Sequence, residues 1–204
     1  MAWKDLTPKT FASIRELNGI SQRTQEEHYE LYKAYVAKTN EIQKKLDAVD
    51  RSTANQIFSD LRSLRVDYSF ALGGMKNHEI YFAHLGGSGG SPTGKLRELI
   101  ERDFPSYDAW LADFKASGLA ARGWVWLAYD HDLSMLSTVV GDAQNTFPVW
   151  NATPILALDV YEHAYWFDYG RARAKYIDAF FNNLDWTVVA ANLDRALAMQ
   201  PAGK

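Results

Sequence analysis

Between Ser21 and Leu46 the chain reads "SQRTQEEHYELYKAYVAKTNEIQKKL", with no Gly or Pro and with ring-bearing, apolar or β-branched residues at 28, 31, 32, 35, 36, 39, 42 and 46. Steps of three and four predict one long amphipathic helix, and Ser21 is placed to cap it. A second helical run extends from Thr53 to about Leu85, after a short polar turn at Asp50 to Ser52. The short connection predicts an antiparallel hairpin, interrupted at Gly73 and Gly74. The stretch "GGSGGSPTG", residues 86 to 94, is the most heavily punctuated in the chain and marks a boundary between two halves.

Beyond that boundary "GKLRELIERDF" and "SYDAWLADFKASGLA" predict two short amphipathic helices. The period then changes. "RGWVWLAYDHDLSMLSTVVGD" alternates in part around "DHD", which predicts a hairpin with strands near 122 to 129 and 133 to 140, and "TPILALD" predicts a third strand. "YIDAFFNNLDWTVVAANLDRALAM" returns to helix, divided near Asn183 to Thr187. The expected class is α+β: an N-terminal antiparallel α-hairpin domain over residues 1–86, then an α/β domain over 87–204 with a small three-stranded antiparallel sheet.

Composition narrows the chemistry. Of 204 residues, 47% are hydrophobic, 23% charged and 14% aromatic, with seven Trp, which is a folded rather than a disordered composition. The net charge of −3 gives no electrostatic reason to expect nucleic acid or an anionic membrane as partner. There is no Cys, so a metal would have to sit on His, Asp or Glu. The opening "MAWKDLTPKT" has no apolar stretch of signal-peptide length, and no window approaches the roughly 18 apolar residues of a membrane span, so the expected location is cytoplasmic.

Five histidines carry what remains. His131 falls in the predicted hairpin turn and His84 near the end of the second helix, where structural or solvent-facing roles are expected. His28, His78 and His163 each lie among apolar and aromatic neighbours. Taken singly, each reads as a buried, satisfied histidine. Taken with Asp159, they supply three imidazoles and a carboxylate, a set suited to a first-row transition metal. In "DVYEH", Asp159 would end a strand and His163 would open the following turn, so both can face one point. Glu162 would point elsewhere, either accepting the free N–H of a metal-bound His or standing at the surface near a helix start. A di-iron bundle, which repeats Glu-x-x-His, and a His-Glu-x-x-His zinc site are both absent.

The residues also carry a resemblance. "DVYEHAYWFDYGRARAKYIDAFFNNLDW" resembles the Asp-x-Trp-Glu-His-Ala-Tyr signature of the iron/manganese superoxide dismutases; "FALGGMKNHEIYFAHL" is similar to that family's Asn-His-x-x-Tyr-Trp segment and "GWVWLAYD" to its Gly-Trp-x-Trp-Leu strand. The likeness covers roughly residues 20 to 190 in consistent order. It implies superoxide dismutation by one manganese or iron ion per subunit, with His28, His78, Asp159 and His163 as ligands. A non-catalytic protein of the same fold is the alternative.

The resemblance further implies that the helix-one segment after "TQEEHY" is one residue short, so that the usual bulge is lost. Tyr35, seven residues after His28, becomes the gateway tyrosine, with Tyr32 the alternate on the same stripe. A glutamine that bonds metal-bound solvent comes from the second helix in typical iron members and from the second half in typical manganese members. Gly74 has no side chain to offer, and Gln144 fills the role, which favours manganese over iron. Trp124, Trp126, Tyr161 and Trp166 would wall the cavity. Tyr161 and Trp166 depart from the family's Trp and Tyr, and a contact between Trp166 and Tyr32 would rebuild the subunit interface. A homodimer through Glu162 and His163 is implied, and Arg171, with Arg173 beside it, would steer the anion.

Overall fold

The computed structural model describes residues 3–146 and 149–199. Helix α1 spans Gln22–Ala48, with the Ser21 hydroxyl accepting the Thr24 N–H at 3.2 Å. It is α-helical throughout, without a bulge, so His28, Tyr32, Val36, Thr39, Ile42 and Leu46 share its buried face. Residues 3–13 run along it as a strap. Leu6 exchanges two hydrogen bonds with the Asn40 side chain, the Lys9 N–H donates to the Tyr32 hydroxyl at 2.9 Å, and the Ser13 hydroxyl donates to the Phe82 carbonyl at 2.8 Å.

Helix α2 spans Asp60–Ala83 and packs along α1. It starts at Asp60 rather than Thr53, because the Asn55 side chain accepts the Ile57 N–H at 2.8 Å and holds that stretch in a turn. Such local side-chain bonds offer the backbone an alternative to helix. Ser59 then caps the helix on the Arg62 N–H. Gly73 and Gly74 do not interrupt α2. A Cβ on Gly73 would run into the Gln144 carbonyl, and one on Gly74 would lie 2.8 Å from the Tyr35 ring. The pair is there for close approach, at about 1 kcal/mol of helix propensity each.

Strands β1 (Trp124–Asp130), β2 (Met135–Gly141) and β3 (Ala152–Asp159) form one antiparallel sheet in the order β2-β1-β3, with Trp124 opposite Gly141 on one side and Asp159 on the other. The β1–β2 turn closes on Asp130, whose carboxylate accepts the Asp132 and Leu133 N–H groups at 2.9 Å. Helices α3 (Gly94–Asp103) and α4 (Tyr107–Ala120) precede the sheet; α5 (Trp166–Tyr169), α6 (Arg173–Asn182) and α7 (Trp186–Ala198) follow it. The α6–α7 break falls at Asn183, whose side chain both accepts from Asn18 N–H and donates to Asn18 O. The same residue's carbonyl takes the N–H groups of Gly86 and Gly87, which pins the glycine-rich connection to the break. Buried side chains from α1, α2, the sheet, α6 and α7 form a continuous core that includes Val36, Phe82, Leu127, Ile155, Phe180 and Val189. Among the described residues no helix is long and apolar enough to cross a membrane.

Candidate metal centre

Four elements meet at one point. His28 comes from α1, His78 from α2, Asp159 from the last position of β3, and His163 from a single 3-10 turn, Glu162–Ala164, that follows it. The three imidazole Nε2 atoms converge on Asp159 Oδ2, at 3.2 Å from His28, 3.5 Å from His78 and 3.1 Å from His163. All four candidate donor atoms lie within 4.8 Å of one another. His28, His78 and Asp159 are buried and His163 is partly exposed.

Protonation follows from the surroundings. Burial pulls His28 down to about 4 against the opposing hydrogen bond to Asp159. It pulls His78 to about 3, helped by the neighbouring His28. Burial alone would raise the Asp159 carboxyl, but His163 and then His28 hold it below the usual carboxylate range. At neutral pH the site is therefore two neutral buried imidazoles around an ionised carboxylate. The tautomer of His78 is fixed as well: its Nδ1 lies 2.6 Å from the Gly74 carbonyl, which can only accept, so the proton is on Nδ1. The bare Nε2 then faces a carboxylate oxygen, lone pair to lone pair, with no hydrogen-bond partner of its own. Such a buried arrangement is answered by a cation, and neutral imidazole with carboxylate is a fitting donor set for a divalent first-row metal.

The other candidate residues sort by what they touch. Gln144, buried between β2 and β3, accepts the Trp124 indole N–H on Oε1 at 3.0 Å and the Asn77 amide on its backbone carbonyl at 3.2 Å. Its side chain also meets the Tyr35 hydroxyl. The Tyr35 ring packs 5.4 Å from His78 and lines a groove between α1 and α2 with Leu31, Lys38 and Phe70. Burial, followed by the charge of Asp159, pushes the Tyr35 hydroxyl up to about 12. Trp124 packs edge-on against His78 at 5.2 Å, and Trp126 stacks on Trp124 at 6.2 Å. Tyr161 stacks on His163 at 5.4 Å, and its hydroxyl finds the Asp142 carbonyl at 3.3 Å.

Three expectations change. Tyr32 faces the core, bonded to Lys9 N–H and Glu79 and fully buried, so it is neither at the gateway nor able to meet Trp166 at a subunit surface. Trp166 is 49% exposed and stands outside the cavity wall. Of the two arginines after the signature, Arg173 lines the cleft beside His163, Tyr161 and Glu162, while Arg171 is exposed outside it. Arg173 also donates to the Ala121 carbonyl at 2.8 Å and to the Tyr165 hydroxyl at 3.1 Å.

Some contacts were not read from the sequence. Tyr176 donates to the Asp159 carbonyl at 2.7 Å, Asn77 holds Gln144, and Tyr81 and Phe82 pack against His28 at 5.0 and 4.9 Å. Asn77 and Tyr81 stood in the sequence within the Asn-His-x-x-Tyr match, which signalled the segment but not these contacts.

Comparison with known proteins decides the family. The chain is 40% identical over 204 residues to the protein named superoxide dismutase (Fe) of Aquifex aeolicus, covering 98% of this chain and 96% of that one. It belongs to the iron/manganese superoxide dismutases. The family's sequence model, described as "Iron/manganese superoxide dismutases, C-terminal domain", matches residues 92–192. Superoxide dismutase (Fe) of Cupriavidus metallidurans is 38% identical over 187 residues, 89% of this chain and 92% of that one. Superoxide dismutase (Mn) 2 of Halobacterium salinarum is 41% identical over 123 residues, 60% and 62% of the two chains. Relatives named for either metal therefore share this superoxide dismutase scaffold. Tyr161 keeps a ring against His163, and Trp166 is exposed at the surface of the chain.

Proposed function

We propose that the chain dismutates superoxide to dioxygen and hydrogen peroxide at one iron or manganese ion held by His28, His78, Asp159 and His163. Membership makes it an enzyme of the iron/manganese superoxide dismutase type. The observation that carries the ligand set is the convergence of three imidazole nitrogens on Asp159 Oδ2, with His78 held in the tautomer that leaves its lone pair inward. When bound, the ion supplies one-electron exchange in both directions.

The chain's own residues supply the rest. Two superoxide anions and two protons give one dioxygen and one hydrogen peroxide, so the site must deliver protons without admitting bulk water. Tyr35, whose hydroxyl is protonated at neutral pH and is pushed further up to about 12 by burial, offers that hydroxyl in contact with Gln144. Trp124 anchors the Gln144 carbonyl oxygen, which leaves the amide N–H groups as donors towards the site. Trp124, Trp126, Tyr161 and Phe82 exclude solvent around the histidines. The positions of Gln144 and Gly74 favour manganese, whereas the donor set accommodates both metals.

Metal analysis of the purified chain together with superoxide consumption, on wild type and His163→Ala, tests the reading. One iron or manganese per chain with rapid dismutation is expected, falling with the ligand. A stoichiometrically loaded protein that does not consume superoxide overturns it. The exposed Glu162 beside His163, with half-exposed Trp166 and Phe167 adjoining, further supports a homodimer in which Glu162 reaches the partner's His163. Sedimentation velocity of the full chain should give a dimer; a monomer at micromolar concentration rejects it.

A further inference from the structure

Gln25 lies one turn before His28 in α1, is 1% exposed, and has a hydrogen-bond partner on neither its amide nitrogen nor its amide oxygen. His28 Nδ1 is likewise buried and unpartnered. Buried polar groups in folded proteins are paired with few exceptions, so unmet groups this close in one helix call for a common explanation. Side chains three apart on a helix are neighbours on one face. Gln25 and His28 therefore occupy the same strip of α1.

The needs of the two residues are complementary. With Nε2 facing Asp159 and offering its lone pair to a cation, His28 must carry its proton on Nδ1, and that proton requires an acceptor. His78 meets the same requirement with the Gly74 backbone carbonyl. His28 has no equivalent bond. Its other neighbours are poor candidates: the Phe82 ring has no acceptor and its carbonyl is taken by Ser13, the Tyr81 hydroxyl is engaged with Tyr176, and Thr24 shares its hydroxyl with Ser21. A buried helix position with no polar task would favour an apolar residue.

We propose that Gln25 is a positioning residue whose side-chain carbonyl accepts the His28 Nδ1–H, directly or through one bound water, and so sets the tautomer and orientation of that ligand. The inference rests on His28 being a ligand, as read above. An acceptor behind a metal-bound histidine contributes to affinity by holding the ring and raising its basicity. Gln25 touches neither substrate nor metal and acts only through His28.

Manganese(II) affinity of the metal-free full chain, measured by competition with a chelator, tests it on wild type, Gln25→Leu, Gln25→Met, Gln25→Glu and His28→Ala. Loss of the acceptor should weaken binding about 10- to 100-fold in the Leu and Met variants. The unfolding temperature of the metal-free protein should hold or rise in them, because two unmet buried polar atoms are gone. The Glu variant, which keeps an acceptor at the same reach, should retain binding. If Leu and Met bind as tightly as wild type while His28→Ala does not, Gln25 has no part in the site. Equal loss in the Leu, Met and Glu variants would also overturn the inference, assigning the effect to packing. Wild-type affinity in His28→Ala would instead remove the ligand reading beneath it.

Discussion

His84 shows what burial does to an imidazole with no cation to answer it. Its Nε2 accepts the Ala157 N–H at 3.1 Å inside the core, and burial pulls it down to about 3. The unfolded chain takes up a proton near pH 6.5 that the folded chain refuses. Stability from this residue is therefore complete above about pH 6.5 and declines as pH falls towards 3. His28 and His78 add to the same window in the metal-free protein. Urea unfolding of the metal-free chain between pH 7 and pH 5 should show stability falling by about 1 kcal/mol per pH unit for each such histidine. His84→Gln, which keeps an acceptor for Ala157, should flatten that slope by one residue's share; an unchanged slope would mean that His84 is not neutral in the fold. The sequence separated this histidine from the ligand candidates by its place near the end of the second helix, yet its burial was beyond reading. Nothing local in "YFAHLGG" reports that β3 will lie against it.

Elements were legible where periodicity is local and obscure where a distant backbone intrudes. The run of ring and aliphatic positions in α1 gave its buried face correctly, and Ser21 gave its cap. The glycine pair in α2 read as an interruption because its reasons lie elsewhere in the chain: for Gly73 some 70 residues onward, at Gln144 in the connection between β2 and β3, and for Gly74 back in α1, at the Tyr35 ring. Gly73→Ala should accordingly destabilise the protein by about 1–3 kcal/mol, despite the better helix propensity of Ala, since the added methyl meets the Gln144 carbonyl. Thermal unfolding of the variant checks this. Dismutase activity should fall with it, as Gln144 can yield only by leaving Trp124 and Tyr35. The start of α2 was misplaced for the opposite reason, a strictly local one: Asn55 captures the backbone in a turn, which hydrophobic periodicity does not register.

For the whole molecule, the proposed coordination site draws two side chains from the helical hairpin and two from the strand end and turn beyond the sheet. A cation there ties these elements together and binds the unfolded chain poorly, so stability should track free metal. At a metal concentration about 1,000 times the dissociation constant the gain is about 4 kcal/mol. Exhaustive chelation should lower the unfolding temperature, and readdition of manganese or iron should restore it; a temperature indifferent to metal would contradict the proposed site. The ordered motifs singled out in the sequence the four residues that cluster in the fold, with His78, Asp159 and His163 anchored by their own neighbours and His28 less firmly. The surface roles of Trp166, Arg173 and Arg171 were not legible, because they depend on how α5 and α6 turn away from the 3-10 segment.

The fit of the Tyr35 ring over Gly74 constrains how such a site can change over generations. A glutamine on α2 at residue 74 would begin with a Cβ already against that ring, at 2.8 Å. Removing Gln144 first leaves neither donor. Moving the glutamine from residue 144 to residue 74 would thus pass through intermediates that are either crowded or incomplete. A lineage carrying this arrangement is held to it unless Tyr35, Gly74 and Gln144 change together.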